Sequence, residues 1–194
     1  MGLFDSIRNV FFNREQQRKQ QEQTHLRRRF LRFVDCRAVG FLLDASNEQT
    51  RLALMLLARD LAAAGKSVSV LLYVDAKEVP ADIKSEAERR LTGCEMLFVC
   101  HKDLSWSRLP QGEAIERFIQ QTYDWLLVPK LVAHQQLDYL AAASPAHARI
   151  TCYTSEEQDL AAYDFFAALP QPSQDIQAYL QALRLLLDIP TEGA

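Results

Sequence analysis

Short apolar runs alternate along this chain with stretches in which apolar residues recur every three or four positions. Val39 to Leu43 is continuously apolar, as expected of a strand covered on both faces. Helical spacing follows, with Leu52, Met55, Leu56, Ala58, Leu61 and Ala62 turned inward and Gly65 as the stop. Val68 to Val74 is then a second buried strand ended by Asp75. The same alternation predicts a polar helix over Ile83–Leu91, opened by Asp82, and a strand over Glu95–Cys100. After a long irregular link from His101 to Gly112 come a helix over Glu113–Thr122, a strand over Asp124–Val128 stopped by Pro129, and a helix over Leu131–Ala143. Strands over Arg149–Tyr153 and, at an edge, Asp164–Ala168 precede a last helix capped by Ser173 and ended by Pro190. Strands alternating with helices at this spacing give an α/β fold. The expected architecture is a Rossmann-like, mainly parallel sheet of five to six strands with helices on both faces, joined by right-handed crossovers.

The first 36 residues break this rhythm and read as a helical arm ahead of a single domain over 37–190, with 191–194 as a tail. Gly2 to Phe12 is an amphipathic helix whose apolar face is Leu3, Phe4, Ile7 and Phe11, together with Val10. Asn13 to Phe33 reads as a separate helix, polar on every side at first and closed by the basic, aromatic run RRRFLRF. Leu26, Phe30 and Phe33 recur at i, i+4 and i+7, the spacing of residues that anchor a helix to a body. Arg27, Arg28, Arg29 and Arg32 are the chain's best candidates for gripping an anionic partner.

Charge sharpens that division. Met1 to Arg37 carries nine basic against four acidic residues, so the rest of the chain is at −8 within a net charge of −3. A basic arm on an acidic body implies an anionic partner or docking of the arm on its own domain. Four cysteines without a C-x-x-C pair fit a reducing, cytoplasmic setting. No apolar run reaches transmembrane length, and the N-terminus lacks a signal-peptide pattern. MGLFDS fits the short myristoylation pattern, which has meaning only where the transferase is present.

Open parallel sheets bind ligands beyond the carboxyl ends of their strands. The candidate ligand rim is therefore Asp44, Ser46 and Asn47 after the first strand, Asp75 after the second, His101 after the third and Lys130 after the fourth. Ser46-Asn47-Glu48-Gln49 also fits an S-x-x-Q capping box, which accounts for Ser46 as a helix cap. The loop DASNEQ has no glycine, and G-x-G-x-x-G, G-x-x-x-x-G-K-[ST], H-E-x-x-H and G-x-S-x-G are all absent. The four histidines are too scattered to mark a metal site by spacing. No catalytic residue, metal or cofactor is assigned.

VGFLLDAS, KDLSWSRLP, YDWLLVPK, LDYLAAASPAHARI and YDFFAAL, together with the basic N-terminal helix, carry a resemblance over most of the chain. The chain resembles an uncharacterised family from the Bacteroidota, known only as a domain of unknown function. The resemblance implies no activity or cofactor. It implies structural roles for Trp106, an aromatic plug in the long link, and for Asp124, a strand opener. Three functions follow as expectations. The first is an interaction module whose arm engages RNA or the ribosome, an anionic membrane surface or a protein. The second is a small-ligand binder or enzyme at the sheet's carboxyl edge. The third is a homo-oligomer joined through the N-terminal helix.

Overall fold

A computed structural model describes residues 3–23, 28–130, 134–153, 162–168 and 176–189. Six strands form one open, all-parallel sheet: β1 (Ala38–Asp44), β2 (Ser67–Tyr73), β3 (Glu95–Val99), β4 (Trp125–Val128), β5 (Ala148–Tyr153) and β6 (Phe165–Ala168). Their order is β3-β2-β1-β4-β5-β6. Sequence order runs outward in both directions from β1, so the β1/β4 boundary is the switch point where such sheets open a crevice. β6 lies at the edge, as its position after a short segment predicts.

The apolar runs behave as strands buried on both faces must. Val39, Phe41 and Leu43 of β1 face one core with the helices α2 (Glu48–Ala63), α3 (Ala81–Arg90) and α6 (Ile176–Leu186). Leu42 faces a second core with α1 (Leu3–Glu22), α4 (Glu113–Gln120) and α5 (Gln135–Ala143). Gly40 sits where a Cβ would come within 3.0 Å of Leu126 Cδ1 and the Tyr123 ring, so only glycine lets that side of β1 close on its neighbours.

The arm differs from its expected form. Residues 3–22 make one continuous helix, not two, because no glycine or proline interrupts the run through Asn13. Its inner side buries Phe12 and Gln16 and lies along α5, with the Phe12 and Tyr139 rings 5.9 Å apart. The part of RRRFLRF that is described, from Arg28, is not helical. It passes along the amino ends of β4, β5 and β6. Phe30 stacks near Trp125 and meets Phe165 edge-on, Phe33 tilts onto Trp125, and Trp125 Nε1–H donates to the Leu31 carbonyl at 3.1 Å. Asp124 accepts the Arg37 and Ala38 N–H groups at 2.8 and 3.0 Å, which ties the start of β1 to β4. Leu26, the start of the helix expected from Leu131, and the Ser173 and Pro190 boundaries lie outside the described residues.

Helix starts also moved. Asn47, not Ser46, caps α2: its Oδ1 accepts from Thr50 N–H at 2.9 Å. The Asp44 carboxylate takes both the N–H and the hydroxyl of Ser46, at 2.9 and 2.6 Å, which leaves the cap to the next residue. Pro80 stands at the α3 N-cap, and Asp82 lies in its first turn.

Candidate functional site

At the carboxyl edge the chain forms a cleft of about 590 Å³, within the range of small-molecule sites. Its floor comes from strand ends. Tyr73 is the last residue of β2, and Val74 N–H bonds the Val99 carbonyl at 2.8 Å. His101 N–H bonds the Ala76 carbonyl at 2.9 Å, so the segments leaving β2 and β3 run tied together. That backbone tie sets Asp75 opposite His101, whose Nε2 lies 2.6 Å from Asp75 Oδ1.

One wall is the link after β3. A 3-10 turn over His101–Asp103 is fastened by Asp103, whose carboxylate accepts Cys100 N–H at 2.9 Å. A tight loop follows, closed by a bridge between Leu104 and Pro110. Ser105 holds it from inside: Ser105 N–H to the Leu109 carbonyl, Arg108 N–H to the Ser105 carbonyl, and Leu109 N–H to Ser105 Oγ. Arg108 has φ +62, a left-handed conformation in a residue with a Cβ. Its charge lies near the Tyr73 phenol, which burial, then Asp75 and Asp44, push up to about 12. Trp106 tops the loop, 65% exposed, with its ring 5.3 Å from that of Phe11. It is therefore not the buried plug that the family resemblance implies.

The other wall is the start of α5. His134 is its N-cap, and Nδ1 accepts Leu137 N–H at 3.4 Å. The imidazole meets the Tyr73 ring edge-on at 4.6 Å. Burial pulls its pKa below the usual histidine range, opposed by Asp44, Asp138 and Asp75. A neutral ring whose Nδ1 accepts carries its proton on Nε2 and offers one donor. Arg8 reaches in from α1. Its Nε is buried without a hydrogen-bond partner, and Asp5 lies 3.7 Å from Nη1.

Of the six rim residues expected from the sequence, Asp75 and His101 line this cleft. Asp44 is half-buried and engaged with Ser46. Ser46 and Asn47 border a separate, shallow depression with Glu48, Gln49 and Leu52. Lys130 is sealed off: it is 2% exposed, pairs with buried Asp138 and lies over the Tyr163 ring at 4.9 Å. Tyr163 O–H also donates to Asp138, at 2.6 Å. This cluster locks the end of β4 to α5 and to the segment entering β6. Tyr73, Arg108, His134 and Arg8 were not foreseen. Tyr73 and His134 carry a positional signal, at a strand end and at the start of the helix after β4. Arg8 and Arg108 carry none that spacing reveals.

Among the described residues, no group of three or more His, Cys, Asp or Glu side chains is arranged to hold a metal ion, and no helix is long and apolar enough to cross a membrane. A sequence model of a family of unknown function, DUF6913, matches residues 8–183. The chain belongs to DUF6913. A comparison with curated proteins found no match. Every residue lining the cleft, from Arg8 to Gln136, lies within the span matched by DUF6913.

Several basic side chains of the N-terminal segment are engaged within that segment or with the domain. Arg28 donates to the Ala146 carbonyl and lies 3.5 Å from Asp164, and Arg32 pairs with Asp35 at 3.1 Å. Arg18 spans Glu15 and Glu22. The Arg29 side chain is exposed while its N–H bonds the His147 carbonyl, and Arg27 lies outside the described residues. On the outer side of α1, Phe4, Ile7, Val10 and Phe11 are 83, 43, 66 and 47% exposed; the Leu3 side chain is not described.

Proposed function

We propose that this DUF6913 protein binds a small polar ligand in the cleft at the carboxyl edge of its sheet. The observation that carries this is the convergence of Tyr73, Asp75, His101, Arg108 and His134, from three separate segments, with Arg8 added from α1. Charged and hydrogen-bonding groups gathered from distant parts of a chain into one concave space are what small-ligand recognition requires. A thermal-shift screen of metabolites against the full chain tests it, since a ligand at 100 times its dissociation constant adds about 2.7 kcal/mol to stability. Hits should be lost in His101→Ala. A screen without hits, or hits unaffected by cleft substitutions, would overturn the reading.

A second reading, an interaction module, is supported by the exposed Phe4, Ile7, Val10 and Phe11 on α1 beside exposed Trp106. Contiguous apolar surface of this kind marks contact with another macromolecule. The partner is then a protein or a second copy of the chain. Light scattering across a concentration series, with Phe4→Asp/Phe11→Asp as control, separates self-association from a strictly monomeric chain.

A further inference from the structure

We infer that the ligand of the cleft is a small hydroxylated organic phosphate, with Arg8 and Arg108 as contacts for its phosphate and the Asp75–His101 pair as contacts for its hydroxyls. This rests on the ligand-binding reading above and narrows it to one chemical class. Arg108 supplies the first argument. Among the described residues no carboxylate forms an ion pair with its guanidinium, and the one carboxylate that lines the cleft, Asp75, pairs with His101. Its φ of +62 is one that glycine adopts without penalty and arginine does not. The loop holds that conformation with three hydrogen bonds to Ser105 and thereby keeps at the cleft a guanidinium that forms no ion pair among the described residues.

The donors around it are of the right kind and number. Arg8 brings a second guanidinium, whose Nη1 lies 3.7 Å from Asp5 and whose buried Nε has no hydrogen-bond partner among the described residues. His134 offers an N–H, and the first turn of α5 ends at the same wall, where Gln136 lines the cleft. Helix starts carry unpaired N–H groups and favour negative charge. A carboxylate has two oxygens in one plane, whereas a phosphate monoester carries three acceptor oxygens and close to two negative charges at pH 7. The second fits this set of donors. Asp75 sets the orientation. Its carboxylate would repel the phosphate but accepts hydrogen bonds from hydroxyl groups, with His101 at 2.6 Å as its partner. The exposed Trp106 ring stands at the cleft's edge, where a sugar or base can lie against it.

Isothermal titration of the full chain tests the class with ribose 5-phosphate and adenosine 5′-monophosphate as probes. Ribose and adenosine serve as uncharged controls, and succinate as the carboxylate arm. The decisive variant is Arg108→Gly, which removes the guanidinium and relieves the backbone at the same position, so it retains the fold. Binding of a phosphate probe, weakened about tenfold or more in Arg108→Gly with a melting temperature equal to or above wild type, is the expected result. Equal binding by the uncharged control, stronger binding of succinate, or wild-type affinity in Arg108→Gly would overturn it. If no phosphate probe binds at millimolar concentration while another ligand binds and is lost in His101→Ala, the phosphate class falls and the ligand-binding reading stands. If nothing binds, both fall.

Discussion

Replacing Lys130 by methionine should destabilise the fold by about 3–5 kcal/mol, because it strands a buried carboxylate. Lys130 and Asp138 are 2% and 5% exposed, so water cannot take over when one partner goes. In Lys130→Met, Asp138 keeps the Tyr163 hydroxyl at 2.6 Å but loses its counter-charge. The Lys130 contact with the Tyr163 ring, 4.9 Å from the centroid, is lost as well. For a chain of this size each kcal/mol moves the melting temperature by about 2–4 °C, so the shift should be about 6–20 °C downward. Tyr163→Phe removes one hydrogen bond to a charged acceptor and should cost less, about 1.5–3 kcal/mol. The double variant Lys130→Met/Asp138→Leu removes both charges and should recover most of the loss, since an apolar pair replaces a buried ion pair nearly neutrally. Urea unfolding followed by circular dichroism, with the m-value held constant as a check, reads all three. A Lys130→Met loss below about 1 kcal/mol, or a double variant as unstable as the sum of its singles, would refute the view that this lysine is a buried lock and not a ligand contact.

Three further outcomes follow. His134 is held below its ordinary pKa of 6.5 by burial, so the unfolded chain takes up its proton first. The stability tied to this group is complete above pH 6.5 and falls as the pH drops toward the folded-state value. His134→Asn keeps a cap acceptor without the titration and should flatten the fall in urea midpoint between about pH 7 and 5; parallel profiles would contradict this. Gly40→Ala pushes a methyl against Leu126 and Tyr123 at 3.0 Å and should cost about 1–3 kcal/mol in urea unfolding. Burial raises the Cys36 and Cys94 thiols to about 12 and 11, so both should resist alkylation at pH 8 in the native protein. Rapid labelling of Cys36, mapped by mass spectrometry, would count against that core.

Strands buried on both faces announce themselves, which is why β1, β2 and β4 were legible; β3 and β5 showed as shorter apolar runs, and the edge position of β6 followed from the short segment before it. A run such as Val39–Leu43 has no other economical use. What the sequence hid was anything decided by competition between neighbours. Ser46 fits a capping box, yet the Asp44 carboxylate two residues earlier claims its hydroxyl and N–H, and Asn47 takes the cap. Lys130 stands at a strand end like a rim residue, but Asp138, in the first turn of α5, draws it inward. The spacing of Leu26, Phe30 and Phe33 reads as helix, whereas the Phe30 and Phe33 rings are placed by Trp125 in a non-helical segment that ends in a turn. The site shows the same division. Asp75 and His101 were legible because strand ends are where ligands bind, and Arg8 was not, because 65 or more residues separate it from every other lining residue.

Where a ligand touches the chain tests the cleft most directly. Backbone amide shifts of the isotopically labelled protein, titrated with ribose 5-phosphate, read that without assuming an activity. The expected perturbations gather at Tyr73 and Asp75, along His101 to Arg108, at His134 and Gln136, and at Arg8. Shifts gathered instead on Phe4, Val10 and Phe11 or on Arg28 to Arg32 would contradict the cleft as the ligand site, and none above background would contradict the phosphate class.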